Sequence, residues 1–527
     1  MIPPALTSLK FWACVVSGLL MALAFPRPGL AELAWIGLLP LLLCGRERPF
    51  RSGFITGLVF FAVVLYWLNI VMTTYGGLHP LLSVAAYLML VVYLALYWGA
   101  ALWTAVRVGR RFNLSLIFLL PVSWIAFEFL RSFMLSGFPW ATLGYTQHER
   151  LLLLQSADLF GVYGLSFLLV MANAVGFEIL RSRKGDRKFP VLGTSILLLL
   201  LAAALGYGGM RLNSAEIEGS PLTVNLVQGN IDQGIKWNPE YQQHTIDTYR
   251  DLSLQASADR PADLTVWPES ATPFYFQERS ALSRQVSRVP QLIDGYLLFG
   301  SPAYEQVNQE YRYLNSAFLL SSEGEILGRS DKVHLVPFGE YVPLKTFLPF
   351  IDKLVVGIGD FSPGTVTTLS MNGASVGVLV CFEGIFPELA RDIVRQGSDL
   401  LVNITNDAWF GRSSAPYQHL AMTRFRAVEN RIWIARAANT GISAFISPRG
   451  EILAATPIFK PAVASAQVRL GAGFSLYRSW GDVLPTACGV FILCCLVRLW
   501  RKPNAANSVY SSNPKMSLKG GSDSTGE

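Results

Sequence analysis

Eight apolar segments constrain the fold of this chain more than any other feature of its sequence. They lie near residues 8 to 25, 30 to 44, 53 to 75, 81 to 106, 114 to 131, 161 to 180, 190 to 210 and 484 to 500. Segments of this kind are suited to crossing a bilayer as helices. With 52% hydrophobic and only 15% charged residues among 527, the composition also favours a membrane protein of more than one domain.

The positive charges predict how these segments are oriented. Lys and Arg cluster at 46 to 51, 107 to 111, 181 to 188 and 498 to 502, directly after segments two, four, six and eight. Because positive loops stay in the cytoplasm, we expect all four clusters and both termini on that side. The net charge of +7 is then a topology signal, and no nucleic-acid partner is expected.

The polar region between segments seven and eight reads as an α/β domain. Its strand-like runs are 223 to 227, 264 to 267, 296 to 300, 316 to 320, 376 to 380, 400 to 404 and 443 to 447, and its helical patterns are 239 to 257, 386 to 396 and 417 to 430. Glu323 to Leu327 and Arg449 to Leu453 are typical of hairpin turns. The predicted domains are a seven-helix transmembrane domain (1–211), an extracytoplasmic α/β domain (212–475), a transmembrane helix (476–503) and a disordered cytoplasmic tail (504–527).

Few ionisable residues lie inside the apolar segments. Glu128 and Arg131 are three apart, which places them on one face near the outer end of segment five. A charged pair at that depth is a candidate functional site. The alternative is an Arg that reaches the interface beside a partner carboxylate.

Cys381 ends the short buried strand that begins at Val376, where open α/β sheets tend to place their chemistry. The other cysteines lie in the apolar segments: Cys14, Cys44, Cys488, Cys494 and Cys495. Cys381 therefore has no disulfide partner in the polar domain. A lone Cys in an apolar strand is also a common core residue, so its neighbours must decide.

Two other apolar runs end in reactive groups. Glu269 follows Trp267-Pro268, and Lys332 and Glu340 belong to the stretch from Asp331 to Glu340. A thiol, a carboxylate and an amine suit covalent acyl transfer, in which they act as nucleophile, general base and oxyanion partner. Alone, Glu269 is as well explained as a helix-start carboxylate, and Lys332 with Glu340 as a solvated ion pair.

Taken together, the motifs resemble those of the nitrilase superfamily. The matching stretches are Val227-Gln228-Gly229-Asn230-Ile231 with Trp237, Trp267 to Ser270, Lys332 to Glu340 with Pro343, Cys381-Phe382-Glu383 and Asn406-Asp407-Ala408-Trp409-Phe410-Gly411. The seven preceding segments and the one that follows are similar to its membrane branch, the apolipoprotein N-acyltransferase family. The resemblance implies a four-layer α-β-β-α sandwich with Glu269 as general base, Lys332 as oxyanion stabiliser and Cys381 as nucleophile.

The same resemblance implies supporting roles for Glu340, Glu383 and Phe382, the last at a position where relatives often carry Tyr. It implies that an acyl chain passes from a membrane phospholipid through a Cys381 thioester to the α-amine of a diacylated apolipoprotein. The setting would be a bacterial inner membrane with the catalytic domain in the periplasm. We expect a monomer, with no cofactor and no metal.

Substrate binding is expected at the lipid side of the polar domain. Leu344 to Phe361 is a Pro- and Gly-rich segment crowded with apolar residues, and we expect it to enter the outer leaflet beside the lipid entrance. The residues expected to bind substrate are Trp237, Asn406, Trp409 and Phe410.

Three other functions compete with this interpretation. A membrane-tethered amidase acting on a soluble amide would use the same triad, although eight spans exceed what an anchor requires. A transporter would carry more charges or helix breaks at mid-membrane than this chain, which has Pro121 there. A purely structural lipoprotein-binding role would leave three reactive side chains unexplained.

Overall fold

The computed structural model describes residues 4–185, 188–214, 218–337, 339–341 and 361–501. Within these ranges an N-terminal helical region is followed by an α/β domain, and the last helix packs back against the helical region. The predicted lipid-entrance segment, apart from Phe361, and the predicted tail from Asn504 onward lie outside the described residues.

The helical region contains short and long apolar helices. Over its described residues these are α1 (Pro4–Leu23), α2 (Leu39–Cys44), α3 (Pro49–Val64), α4 (Leu68–Ile70), α5 (Pro80–Phe112), α6 (Leu116–Phe133), α7 (Leu151–Leu154), α8 (Ala157–Arg183) and α9 (Val191–Asn213). Among all described helices, α5, α6, α8, α9 and the last one, Val483–Trp500, are long and apolar enough to cross a membrane, and α3 with the bent continuation Leu68–Tyr75 makes a sixth candidate. The predicted count of eight spans stays a prediction.

The second predicted span, 30 to 44, is not one continuous helix. It consists of a 3-10 turn, Ala31–Trp35, and the six-residue helix α2. Asn173 of α8 fixes the break, since its side chain accepts from the Leu38 amide at 2.8 Å and donates to the Ala34 carbonyl at 2.9 Å. At about 1.5 Å per residue, α2 spans far less than the bilayer core.

The basic clusters meet at one end of the helical region. Arg110 donates to the Arg46 carbonyl at 2.9 Å, and both Arg46 and Arg181 lie over the ring of Phe177. A cavity at the same end lies between α5, which carries the second cluster, and the last helix, which leads into the fourth. It is lined by Trp103, Arg107, Arg110, Arg111, Leu496, Leu499 and Trp500. The clusters that follow segments two, four, six and eight therefore share one side, as their spacing predicts.

The α/β domain contains two six-stranded sheets in its described part. The first has the order β12-β1-β2-β3-β4-β5 and the second the order β11-β10-β9-β8-β7-β6. The strands are β1 (Pro221–Gln228), β2 (Leu264–Val266), β3 (Tyr296–Val307), β4 (Glu310–Leu320), β5 (Ile326–Asp331), β6 (Leu369–Met371), β7 (Ala374–Val380), β8 (Leu400–Thr405), β9 (Ile434–Ala438), β10 (Ala444–Ile446), β11 (Ile452–Ala455) and β12 (Ala462–Arg469). Strands β1 to β3 are parallel, as are β7 to β9.

The two sheets face each other across an apolar core. Val224 and Val266 of the first sheet share this core with Val378 and Val402 of the second. Helices α10 (Pro239–Asp259) and α11 (Ala281–Ile293) cover the outer face of the first sheet, and α12 (Pro387–Arg395) and α13 (Ala415–Asn430) cover that of the second. The predicted α/β nitrilase-like sandwich beside a multi-span helical domain is thereby confirmed.

Helix α13 lies between the second sheet and the helical region, and nearly all of it is buried. Arg431, at its end, pairs with Asp158 of α8 at 2.6 Å, and Glu429 accepts from the Val162 amide at 3.2 Å. Gly161, at φ 61°, lets the Tyr477 ring approach, since a Cβ there would lie 2.7 Å from it. After α14 (Leu476–Trp480), α15 (Val483–Arg501) returns to the helical region. These contacts fix the sheet relative to the helices.

Candidate active site

Cys381 stands at the carboxyl end of β7, inside the second sheet. Its φ is 55°, in the left-handed region that residues with a side chain rarely adopt. Its carbonyl accepts from His419 Nε2 at 3.2 Å and Asn403 Nδ2 at 3.4 Å, which hold this turn. Backbone strain of this kind tends to cluster at functional sites.

The structure brings the three predicted reactive groups together. Glu269 lies just after β2 and Lys332 directly after β5, both on the first sheet, while Cys381 comes from the second. Lys332 Nζ is 3.4 Å from Glu269 Oε1, and the Cys381 thiol lies beside the same carboxylate, where it helps to lower the pKa of Glu269. All three side chains are buried. The carboxyl ends of β2, β5 and β7 thus converge on one cluster, which is why residues far apart in sequence meet here.

Glu340 completes the pairing of Lys332. Lys332 Nζ lies 2.9 Å from Glu340 Oε1, while Glu340 Oε2 accepts from the Val336 amide at 2.8 Å. Asn315, from β4, donates from Nδ2 to Glu269 Oε1 and to Glu340 Oε1, both at 2.8 Å. The sequence analysis missed Asn315, whose signal is an amide directly before the predicted strand 316 to 320.

Glu383 acts as a clamp between two loops. It accepts from the amides of Val333 at 2.8 Å and His334 at 3.0 Å, beside Lys332, and from the Val380 amide at 2.8 Å, beside Cys381. Burial raises the pKa of Glu383 to about 7 despite these donors. The Glu383 carboxylate therefore links the backbone next to Cys381 with the backbone next to Lys332.

The charge states of the cluster follow from its burial and its pairings. Burial, then the Glu269 carboxylate, raises the pKa of the Cys381 thiol far above its ordinary value. For Glu269, burial is outweighed by the Lys332 ammonium and by the bond from the thiol, so its pKa is lowered. For Lys332, burial is outweighed by Glu340 and Glu269, so its pKa is raised. The resting site thus holds a thiol, a carboxylate and an ammonium, with the carboxylate ready to accept the thiol proton.

Lys236 is a second buried lysine that the sequence analysis missed. Its Nζ donates to the backbone carbonyl of Glu269 at 3.1 Å, and its side chain is fully buried. Burial lowers its pKa to about 8, although the charges of Glu269 and Cys381 oppose this shift. The sequence feature that could have pointed to Lys236 is its position next to Trp237, which belongs to one of the matching motifs.

A polar network lies behind Cys381. Asp407 Oδ2 accepts from Arg436 at 2.8 Å, and Asp407 Oδ1 lies 3.0 Å from both Thr405 Oγ1 and His419 Nδ1. Burial alone would raise the pKa of Asp407, but the Arg436 charge and the hydrogen bond with His419 outweigh it and lower that pKa to about 2. Burial and Arg436 lower the pKa of His419, which meets the Cys381 carbonyl and not its sulfur. A His general base is therefore not part of this geometry.

The residues predicted to bind substrate occupy different surroundings. Trp237 is half-exposed, whereas the Asn406 side chain is buried between Gln233 at 2.6 Å and Asn439 at 3.0 Å. The Asn406 amide donates to Glu269 Oε2 at 2.9 Å, so its backbone orients the carboxylate.

Two aromatic residues of the same stretch lie against the helical region. Trp409 packs on Tyr75 with ring centroids 5.8 Å apart, and Phe410 packs on Trp67 at 4.9 Å. Phe382, predicted to support the site, packs on Phe386 at 5.2 Å. Within the described ranges, no group of His, Cys, Asp and Glu is arranged to hold a metal ion.

Comparisons with known proteins match both halves of the chain. Residues 17–175 match the family described as apolipoprotein N-acyltransferase N-terminal domain, and residues 223–474 match the family described as carbon-nitrogen hydrolase. The apolipoprotein N-acyltransferase of Geobacter metallireducens is 53% identical over 90% of this chain and 92% of its own length. That of Pasteurella multocida is 33% identical over 93% of this chain and 94% of its own.

Among solved structures, an amidase from Nesterenkonia sp. is 22% identical and aligns with 55% of this chain and 99% of its own at a TM-score of 0.37. The identity and coverage of the sequence relatives decide the assignment. This chain belongs to the apolipoprotein N-acyltransferase family, whose members are membrane enzymes with a nitrilase-like domain.

Proposed function

We propose that this enzyme transfers an acyl chain from a membrane phospholipid, through a thioester on Cys381, to the α-amine of the diacylglyceryl-cysteine of an apolipoprotein. The observation that carries the proposal is the buried cluster in which Lys332 lies 3.4 Å from Glu269 and 2.9 Å from Glu340, with the Cys381 thiol beside the Glu269 carboxylate. The family of the chain supports the substrate pair.

The first half-reaction forms the thioester. Glu269 takes the thiol proton, and the thiolate attacks the carbonyl carbon of a phospholipid ester. The developing oxyanion faces the Lys332 ammonium, which Glu340 holds at 2.9 Å. The bond to the glycerol oxygen then breaks, Glu269 returns the proton to that oxygen, and a lysophospholipid leaves.

The second half-reaction releases the acyl chain. The unprotonated α-amine attacks the thioester carbon, and Glu269 removes a proton from the attacking nitrogen. The carbon–sulfur bond breaks, and the sulfur recovers a proton from Glu269. The products are an amide and free enzyme, so the cycle is ping-pong with one general base in both halves.

We further propose that the acyl chain reaches Cys381 from the side of the helical region. Phe410 lies between Trp67 and the ring of His419, at 4.9 Å and 6.2 Å, and so links the helices to the polar network behind the thiol. Trp409 and the half-exposed Trp237 would border this route, and Asn406 would act through its amide to Glu269. Replacing Phe410 by Ser should raise the KM for phospholipid more than it lowers kcat.

The proposed setting is a bacterial inner membrane with the catalytic domain in the periplasm. The shared end of the four basic clusters would be cytoplasmic, with both termini on that side. Alkaline phosphatase fused at Asp259 should be active, and the same reporter fused after Arg183 should be inactive. The reverse result would invert the topology.

The decisive experiment traps the intermediate. Purified enzyme is mixed with phospholipid carrying a labelled acyl chain, and the Cys381 peptide is analysed by mass spectrometry. We expect a hydroxylamine-sensitive acyl adduct that Cys381→Ala abolishes, that Cys494→Ala on the exposed side of α15 leaves intact, and that a diacylated peptide discharges. Ammonia release from soluble amides without an acyl adduct would overturn the proposal.

A further inference from the structure

Thr405 contacts the sulfur of the nucleophile, and the mechanism above does not use it. It is the last residue of β8, its side chain is fully buried, and its Oγ1 lies 3.2 Å from Cys381 Sγ. The same oxygen lies 3.0 Å from Asp407 Oδ1. The hydroxyl thus stands between the reactive sulfur and a carboxylate.

The hydrogen bonds decide in which direction this contact runs. The bond runs from Thr405 Oγ1 to Cys381 Sγ, and the single hydrogen of the thiol is left for the neighbouring Glu269 carboxylate. Sγ can then only accept from Thr405, and the hydroxyl hydrogen has two possible acceptors, Sγ and Asp407 Oδ1. Asp407 keeps the Arg436 guanidinium at 2.8 Å on its other oxygen, so its charge stays paired when the hydroxyl turns away.

The charge on sulfur changes during the reaction. A thiol or thioester sulfur is a weak acceptor, so in those states the hydroxyl favours the carboxylate. A thiolate carries full negative charge, and it occurs twice: as the nucleophile in the first half-reaction and as the leaving group in the second. A donor that can turn toward sulfur therefore stabilises the charged state selectively.

We propose that Thr405 is a catalytic residue that donates a hydrogen bond to the Cys381 thiolate in both half-reactions and returns to Asp407 when the sulfur is uncharged. Its role in acyl transfer rests on the proposed function, whereas the donation itself is a property of the thiol. The bond from Thr405 also opposes the elevation of the Cys381 pKa. The other charged or titratable groups that face the thiol or its turn are Lys236, Glu269, Lys332, Glu383, Asp407, His419 and Arg436.

The test compares Thr405→Val, which keeps the shape and removes the hydroxyl, with Thr405→Ser, which keeps the hydroxyl. In the full-length detergent-solubilised enzyme, alkylation of Cys381 by iodoacetamide is followed by mass spectrometry from pH 6 to 10, with Cys494 in the same molecules as reference. We expect Thr405→Val to slow alkylation about tenfold, near the lower end for a hydrogen bond to a charged group because the bond to Asp407 is given up. Thr405→Ser should react like the wild type.

The acyl-transfer arm measures single-turnover acylation by labelled phospholipid and discharge by a diacylated peptide. Both rates should fall about tenfold in Thr405→Val and recover in Thr405→Ser. Unchanged or faster alkylation in Thr405→Val would overturn the proposal, as would a Ser variant as slow as Val, since packing of the methyl group would then explain the loss. If the wild type forms no acyl adduct while alkylation still depends on the hydroxyl, the proposed function fails and the donation stands.

Discussion

Glu128 in the helical region and Glu269 in the sandwich are both buried carboxylates near a buried cation, yet their hydrogen bonds serve different ends. Glu128 Oε1 accepts from the Leu143 amide at 3.0 Å, and Arg131 donates to the Phe138 carbonyl at 3.0 Å and to the Trp140 carbonyl. Both residues therefore hold one backbone segment. Glu269 instead lies beside the Cys381 thiol, whose proton it can remove.

The difference separates structural charge from reactive charge. The segment held by Glu128 and Arg131 carries Trp140, whose Nε1 donates to Gln418 of α13 at 2.7 Å. This favours a structural role for the pair over the functional site that its depth suggested. Around Cys381, the same kinds of groups keep a transferable proton next to a base. Variants of the first cluster should lose stability, and variants of the second should lose rate.

The largest expected effect is that of Glu269→Gln on the rate. The amide keeps the shape but cannot take the thiol proton, so we expect single-turnover acylation to fall by about 10²- to 10⁴-fold. The stability should change little, because Lys332 retains Glu340 at 2.9 Å. The measurements are acyl-adduct formation and thermal unfolding, with Glu240→Gln on the surface of α10 as matched control. An acylation rate close to that of the wild type would exclude Glu269 as the base.

The opposite pattern is expected for Arg131→Met. This change leaves buried carbonyls and the Glu128 carboxylate without their cation, and we expect a loss of about 3–5 kcal/mol in the free energy of unfolding. The acylation rate per folded molecule should be retained. Arg150→Met is the matched control, since Arg150 pairs with Glu32 at the surface and should contribute less than about 1 kcal/mol. If folded Arg131→Met lost its acylation rate, Arg131 would act in the reaction as the groups around Cys381 do, and the structural role would be wrong.

Local patterns predicted much of the sandwich from sequence. The two hairpin signals hold, with Gly324 at φ 83° and Gly450 at φ 80° in turns that join β4 to β5 and β10 to β11. Strand β9 was missed because Arg436 interrupts its apolar pattern. That charge is buried against Asp407, a pairing that only the fold reveals.

The candidate site was predictable where a reactive group ends an apolar run, as at Glu269, Lys332 and Cys381. It was not predictable where a residue acts through distant neighbours. His419 and Thr405 belong to the site because α13 and β8 pack beside β7, and Lys236 because its loop returns to the Glu269 backbone. These contacts have no local pattern in the sequence.

Lys236→Met tests whether the buried ammonium of Lys236 lowers the free energy of unfolding. We expect the variant to be more stable than the wild type by about 2 kcal/mol at pH 7, since it avoids burying an ammonium and loses one hydrogen bond. The pKa of Lys236 is about 8 in the folded protein against an ordinary 10.5, so between these values the unfolded chain binds more protons. The wild type should therefore gain stability relative to the variant as the pH rises from 8 to 10.5.

Chemical denaturation of both proteins across this pH range measures the difference, with the exposed Lys460→Met as control. Acylation by the variant should need a higher pH, because Lys236 helps to keep Glu269 ionised. If Lys236→Met is instead less stable at pH 7, the lysine braces the loop as Arg131 braces its segment.

The smallest effect is expected for Phe382→Tyr. This variant tests whether Phe382, the neighbour of the nucleophile, has a structural role or takes part in the reaction. The Phe382 ring is almost buried and packs edge-on against Phe386 in the core that includes the helical region. If the ring only packs, the added hydroxyl should change the acylation rate by less than about threefold, or about 0.7 kcal/mol. Phe382→Ala should cost about 3 kcal/mol of stability, because it opens a cavity there. A large gain in the acylation rate for Phe382→Tyr would show that a hydroxyl at position 382 takes part in the reaction. Position 382 would then belong with the reactive groups around Cys381 and not with the structural ones.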